Sequence, residues 1–227
     1  MTFILISNWQ KKILTRYSNL MKEKLKNPFF QQYALELLLP LVGYFFFDWS
    51  LTIIAVFYFL DQIASDIVYA RKINKIGSEQ KVKNHFFKST VVLVNFLIIF
   101  VAEAALFDHF WPNLISQSKT EFYAEIWDFT VSELWILFPL LIAVYHFKDL
   151  FTFYMPRRFA NHDFNKTIFS RTIFNLGIFM LVFNGLQLSP NIAGSELPAL
   201  LVFIGIKLLY DFTAGKWYLK YSLIKQN

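Results

Sequence analysis

Cysteine is absent from all 227 residues, which removes disulfides, iron-sulfur clusters and thiolate zinc and leaves the redox compartment open. Charge is scarce too, with Asp, Glu, Lys and Arg together only 17% of the chain. Glycine and proline number seven each, and no glycine-rich phosphate loop is formed from them. There is no His-Glu-x-x-His helix, no Gly-x-Ser-x-Gly elbow, and no His followed by Asp at the acyltransferase spacing. An enzyme is therefore the less favoured class, and no cofactor and no metal site are expected. The opening MTFILIS has no charged leader, long apolar core or small-residue cleavage site, so no removable signal peptide is expected.

What fills the chain instead is apolar and aromatic. Hydrophobic residues make up 56%, among them 28 Phe and 6 Trp, more than one soluble domain can cover with polar surface. An all-α, polytopic membrane protein is the expected class. The net charge of +6 could suggest nucleic acid, but its placement argues for no nucleic-acid partner and for lipid. Residues 1–28 carry Lys11, Lys12, Arg16, Lys22, Lys24 and Lys26 against Glu23, with Ile6, Trp9, Ile13, Tyr17 and Leu20 at helical spacing. This reads as a basic amphipathic helix lying on the anionic cytoplasmic leaflet, or packed on the protein's own cytoplasmic loops.

Residues 29–227 form the second expected unit, a six-helix transmembrane domain with spans at about 33–47, 51–70, 89–107, 129–147, 172–188 and 197–213. The connections alternate in character. Residues 71–88 hold six Lys and Arg against Glu79 alone, whereas residues 108–128 hold Asp108, Glu121, Glu125 and Asp128 against Lys119 alone. A second basic connection contains Lys148, Arg157, Arg158, Lys166 and Arg171. With both termini inside, twenty of the 22 Lys and Arg fall on the cytoplasmic side, as the positive-inside rule requires. Anionic lipid is the expected partner of these loops and of the first helix, and a homo-oligomer or a membrane partner subunit is compatible with the pattern. A weak echo links Asn84-His85-Phe86-Phe87 to Asn161-His162-Asp163-Phe164, and residues 48–52 to 128–132, as a parallel repeat of two spans would.

Ionisable groups deep in the spans are the candidate functional residues, because each is costly there unless it has a polar partner. At about 1.5 Å rise per residue, Asp61 lies about 16 Å and Lys207 about 15 Å below the outer ends of their spans, near the middle of a core about 30 Å thick. Asp61, Lys207 and Asp211 are thus the expected buried charge site, with Lys207 meeting either Asp61 or, at i+4, Asp211. Glu36, Asp66, His146 and Asp149 are expected at a cytoplasmic mouth, His146 and Asp149 sharing one helix side. Glu103 and Glu133 are expected at the outer boundary among headgroups or water, and His85 and His162 in solvated loops.

The segment Ile206-Lys207-Leu208-Leu209-Tyr210-Asp211 resembles the terminal lysine-x-x-x-aspartate helix of a family of uncharacterised prokaryotic six-pass membrane proteins, a domain of unknown function. Trp49-Ser50 and His146-Phe147-Lys148-Asp149-Leu150-Phe151 carry the resemblance further, over residues 37–217. The family has a serine where Tyr145 stands and a glutamate where Asp61 stands. The resemblance implies a prokaryotic cytoplasmic (inner) membrane location and constraint on Lys207 and Asp211, and brings no activity. Three functional readings stay open: translocation of a proton, ion or small solute along the buried charges; a non-catalytic structural or accessory subunit; and an intramembrane enzyme acting on lipid or quinone through His146 and Asp149.

Overall fold

A computed structural model describes residues 38–114 and 117–188, together with residues 205, 209, 210, 213, 221 and 223. The chain falls into two compact units, residues 1–42 and 43–227. Of the first, only residues 38–42 are described, so the expected amphipathic helix at 1–28 and Glu36 lie outside the described residues. Every element is helical and no strand occurs among the described residues, apart from an isolated bridge between His162 and Leu223.

The elements are α1 (38–46), α2 (Leu51–Glu79), α3 (His85–Leu114), α4 (Lys119–Tyr154) and α5 (Phe164–Leu188). Three of them, α2, α3 to Pro112, and α4, are long and apolar enough to cross a membrane. The fifth expected span lies within α5, while most of the sixth, including Lys207 and Asp211, lies outside the described residues.

The turn expected after the first span is present and its chemistry is local. The Phe47 and Trp49 amides both donate to the Gly43 carbonyl, at 3.1 and 3.0 Å, and Asp48 takes a left-handed φ of 53°. Ser50 then caps α2, its Oγ accepting from the Ile53 amide at 3.2 Å. A Cβ on Gly43 would stand 2.1 Å from the Trp49 ring, so this close return requires glycine.

The ends of the spans differ from expectation. The basic connection at 71–88 is mostly helix, since α2 runs on to Glu79 and α3 begins at His85. No proline interrupts the stretch, Lys and Arg are good helix formers, and Lys75 closes on Glu79 at 2.6 Å one turn away. The acidic connection at 108–128 is likewise largely absorbed into α3 and α4. Ser118 and Glu121 form a reciprocal capping box that starts α4.

Within α4 the turn widens to a π-helix at Thr130–Leu134 and again at Leu150–Tyr154. The first precedes Pro139, which has no N–H to give to the Trp135 carbonyl. Thr130, Ser132 and Thr152 hydroxyls donate to carbonyls four residues back, at 2.7, 2.7 and 2.8 Å, holding these loosened turns together.

Packing divides α2 into three zones. Near its start, Ala55 packs with Phe107, Trp111 and Phe122. Toward its end, Tyr69, Ile73 and Ile76 pack with Val92, Phe96, Phe153, Phe159 and Phe164. Between these apolar clusters the buried residues of α2 include Asp61, Gln62 and Asp66. α2 is mostly buried along its apolar stretch, whereas α4 is largely exposed along its own, as expected of a helix facing lipid.

Candidate functional site

The charged zone is built across four helices, α2, α3, α4 and α5. Asp66 on α2 is the hub: its Oδ1 accepts from Arg171 Nε at 2.8 Å and lies 2.7 Å from Arg171 Nη2 in an ion pair, and its Oδ2 accepts from Asn175 Nδ2 at 2.9 Å. Arg171 also donates to Ser65 Oγ at 2.9 Å and lies over the rings of Tyr69 and Phe174, at 5.1 and 4.9 Å. Arg171 and Asn175 are four apart on α5 and therefore share a face, which is why one carboxylate can hold both. All three side chains are buried. An ionised carboxylate in such surroundings is tolerated because a guanidinium and an amide satisfy both of its oxygens.

Asp61 stands about 7.5 Å before Asp66 along the helix axis and accepts from the Tyr145 hydroxyl of α4 at 2.8 Å. Alongside the second apolar cluster, Lys72 pairs with Asp149 at 2.6 Å, its ammonium lying over the Tyr69 and Phe153 rings of that cluster. Charge thus recurs along one buried helix at Asp61, Asp66 and Lys72.

Glu103 corrects the expectation most sharply. It was expected near headgroups or water, yet it is fully buried, and neither carboxyl oxygen has a hydrogen bond. The Gln62 side chain lies within reach to donate to it, and Asp66 is close enough to act on it through its charge. Gln62 Nε2 nonetheless remains unsatisfied, as does Asn175 Oδ1. An ionised carboxylate left unpaired in such a place costs on the order of several kcal/mol. Glu133, expected at the same boundary, is half-buried and accepts from Trp49 Nε1 at 3.0 Å.

The other candidates separate. Asp149 is buried against Lys72, whereas His146 is exposed, its ring 6.4 Å from that of Tyr154. Shared helical spacing did not bring His146 and Asp149 together, because Asp149 turns inward to a cation on α2. The expected meeting of Asp61 with Lys207, and of Lys207 with Asp211, lies outside the described residues. One neighbouring contact is described: Tyr210 donates to the Phe174 carbonyl at 2.8 Å and packs on Gly177, where a Cβ would meet its hydroxyl at 1.8 Å.

At the far end of α2 a second polar cluster ties the helix entries together. The Gln80 amide donates to the His162 carbonyl and accepts from the Phe164 amide at 3.2 Å. Asp163 caps α5 through the Lys166 amide at 2.8 Å. His162, expected in solvent, is buried against Phe153; that burial, with Lys72 and Arg158 nearby, pushes its imidazole down to about 4.

Arg171, Glu103, Asn175, Gln62 and Tyr145 are the members of the site that sequence reasoning missed. For Arg171 a signal existed: no helix breaker separates Phe164 from it, so a span beginning at Thr172 is an artefact of charge counting. For Glu103 the apolar run on both sides was the signal.

Among the described residues the fold and site define a class: all-helical, with three helices able to cross a membrane and a charged layer buried among α2, α3, α4 and α5. Beyond that class, no family model, curated protein or solved structure matches the chain. Among the described residues no three His, Asp or Glu side chains converge to hold a metal ion.

Proposed function

We propose that this is a six-span protein of a prokaryotic inner membrane, both termini cytoplasmic, that translocates a proton, ion or small solute through its helix bundle. One observation carries the reading. Asp61, Asp66 and Glu103 are buried at mid-length on two helices of membrane-crossing length, between apolar clusters, where ionisable groups ordinarily mark a conduction path. In this reading Lys207 and Asp211 continue the path. Tyr210, directly before Asp211, reaches α5 beside Asn175, which supports that continuation.

A second reading, a structural or accessory subunit, is favoured by the closed pairs Asp66–Arg171 and Lys72–Asp149, which neutralise each other in place. Flux separates the two. Purified protein in liposomes, driven by a pH gradient and then by a membrane potential, is expected to pass charge or solute above empty vesicles. Lys207→Met and Asp61→Asn are expected to abolish it. Wild-type flux equal to that of empty vesicles under both driving forces removes the transport reading for the species tested and leaves the accessory one.

A further inference from the structure

Of the five unsatisfied buried side-chain atoms among the described residues, four belong to residues around Asp66, the exception being Asn74 Oδ1. Gln62 is one turn before it on α2, Asn175 donates to it from α5, and Glu103 lies within its electrostatic reach on α3. Among them Gln62 Nε2, Asn175 Oδ1 and both oxygens of Glu103 are unsatisfied. Four such atoms in one layer are a concentration that buried polar groups ordinarily avoid.

Their types are complementary. Gln62 Nε2 is a donor, which an ionised carboxylate needs; Asn175 Oδ1 is an acceptor, which the O–H of a carboxylic acid needs. The Asn175 orientation is set by its neighbour, because Asp66, already holding Arg171, accepts from the Nδ2 side and leaves the carbonyl oxygen open. The uncommitted oxygens here are the two of Glu103 and Asn175 Oδ1, short of the about six ligands a hard metal cation takes, whereas a proton needs one lone pair. Asp66 and Arg171 neutralise each other, so no fixed cation of that pair is left over for Glu103.

We infer that the Glu103 carboxyl is the exchangeable proton-binding site of this bundle, with Gln62 holding its unprotonated form. This rests on the translocation reading for its use, though not for its existence. On binding, an O–H bond forms between a Glu103 oxygen and a proton delivered by hydronium, which leaves as water. Release reverses the step. The charged groups facing the site are Asp66 from α2 and, through it, Arg171 from α5.

Two measurements on the full-length, reconstituted protein test this. In infrared difference spectra across a pH titration, wild type is expected to show a protonated-carboxyl C=O band that shifts in deuterated water and disappears in Glu103→Gln. Dicyclohexylcarbodiimide, an apolar reagent that adds to protonated carboxyls, is expected to modify Glu103 in wild type, with labelling that declines as pH rises. This second arm needs no variant, so it stands even where Glu103→Gln fails to fold. Identical spectra for wild type and Glu103→Gln, or Glu103 unlabelled at every pH, overturns the site. Proton flux retained in Glu103→Gln also overturns it as the exchangeable group, while leaving the translocation reading intact. A Glu103 band and adduct without wild-type proton flux upholds the site and rejects proton translocation.

Discussion

Replacing Arg171 by Met keeps most of the apolar stem but removes the guanidinium, leaving Asp66 with Asn175 as its remaining partner in this layer. The charge-assisted hydrogen bond from Nε to Oδ1 at 2.8 Å, worth about 1.5–3 kcal/mol, disappears together with the 2.7 Å ion-pair contact of Nη2. Deleting one member of a buried ion pair costs about 3–5 kcal/mol in all. For a chain of this size that corresponds to a drop in melting temperature of roughly 6–20 °C. Asp66→Asn combined with Arg171→Met removes the stranded charge, so the double variant is expected to recover much of the loss. The assay is the monodisperse fraction surviving a heat series in detergent, read by size-exclusion chromatography. A single variant melting within about 2 °C of wild type, or a double variant no better than Arg171→Met, refutes the account of the pair.

Other consequences are narrower. A Cβ at Gly77 would lie 2.6 Å from His85 Cβ and 2.7 Å from the Phe164 ring, where three helices meet, so Gly77→Ala is expected to destabilise by about 1–3 kcal/mol in the same heat series. His162 is held down to about 4 from an ordinary 6.5, so the unfolded chain takes up its proton first. Its contribution is then complete above about pH 6.5 and is lost as pH falls toward about 4, a slope that His162→Phe should flatten in melts taken across that window.

How much of this was legible in the sequence depended on whether a residue's partner was local. The entry to α2 was readable, because Ser50 caps the helix three residues ahead and the aspartate-tryptophan turn lies beside it. Helical class was readable from the apolar runs alone. The ends of the spans were not, because charge counting treats Arg71, Lys72 and Arg171 as stops. Lys72 instead finds Asp149 on another helix, and Arg171 finds Asp66 across 105 residues of sequence. Hydropathy charges a lysine or arginine its full cost and cannot see the carboxylate that offsets it. Glu103 was misplaced by the same reasoning: near the end of an expected span it looked interfacial, but α3 continues to Leu114 and carries it inside. Asp61 was singled out by its depth and Asp66 as a residue of the cytoplasmic mouth, and their partners Tyr145, Arg171 and Asn175 could come only from packing.

Because the chain has no cysteine of its own, sidedness can be read without altering its background. The central claim is that α2, α3 and α4 each cross a membrane, which puts the turn holding Lys83 and the turn before Lys119 on opposite faces; both residues are exposed. Single cysteines placed as Lys83→Cys and Lys119→Cys are to be labelled with a membrane-impermeant maleimide in intact cells and in inverted vesicles. The account predicts Lys119→Cys labelled only from outside and Lys83→Cys only in inverted vesicles; labelling of both from the same face would contradict it.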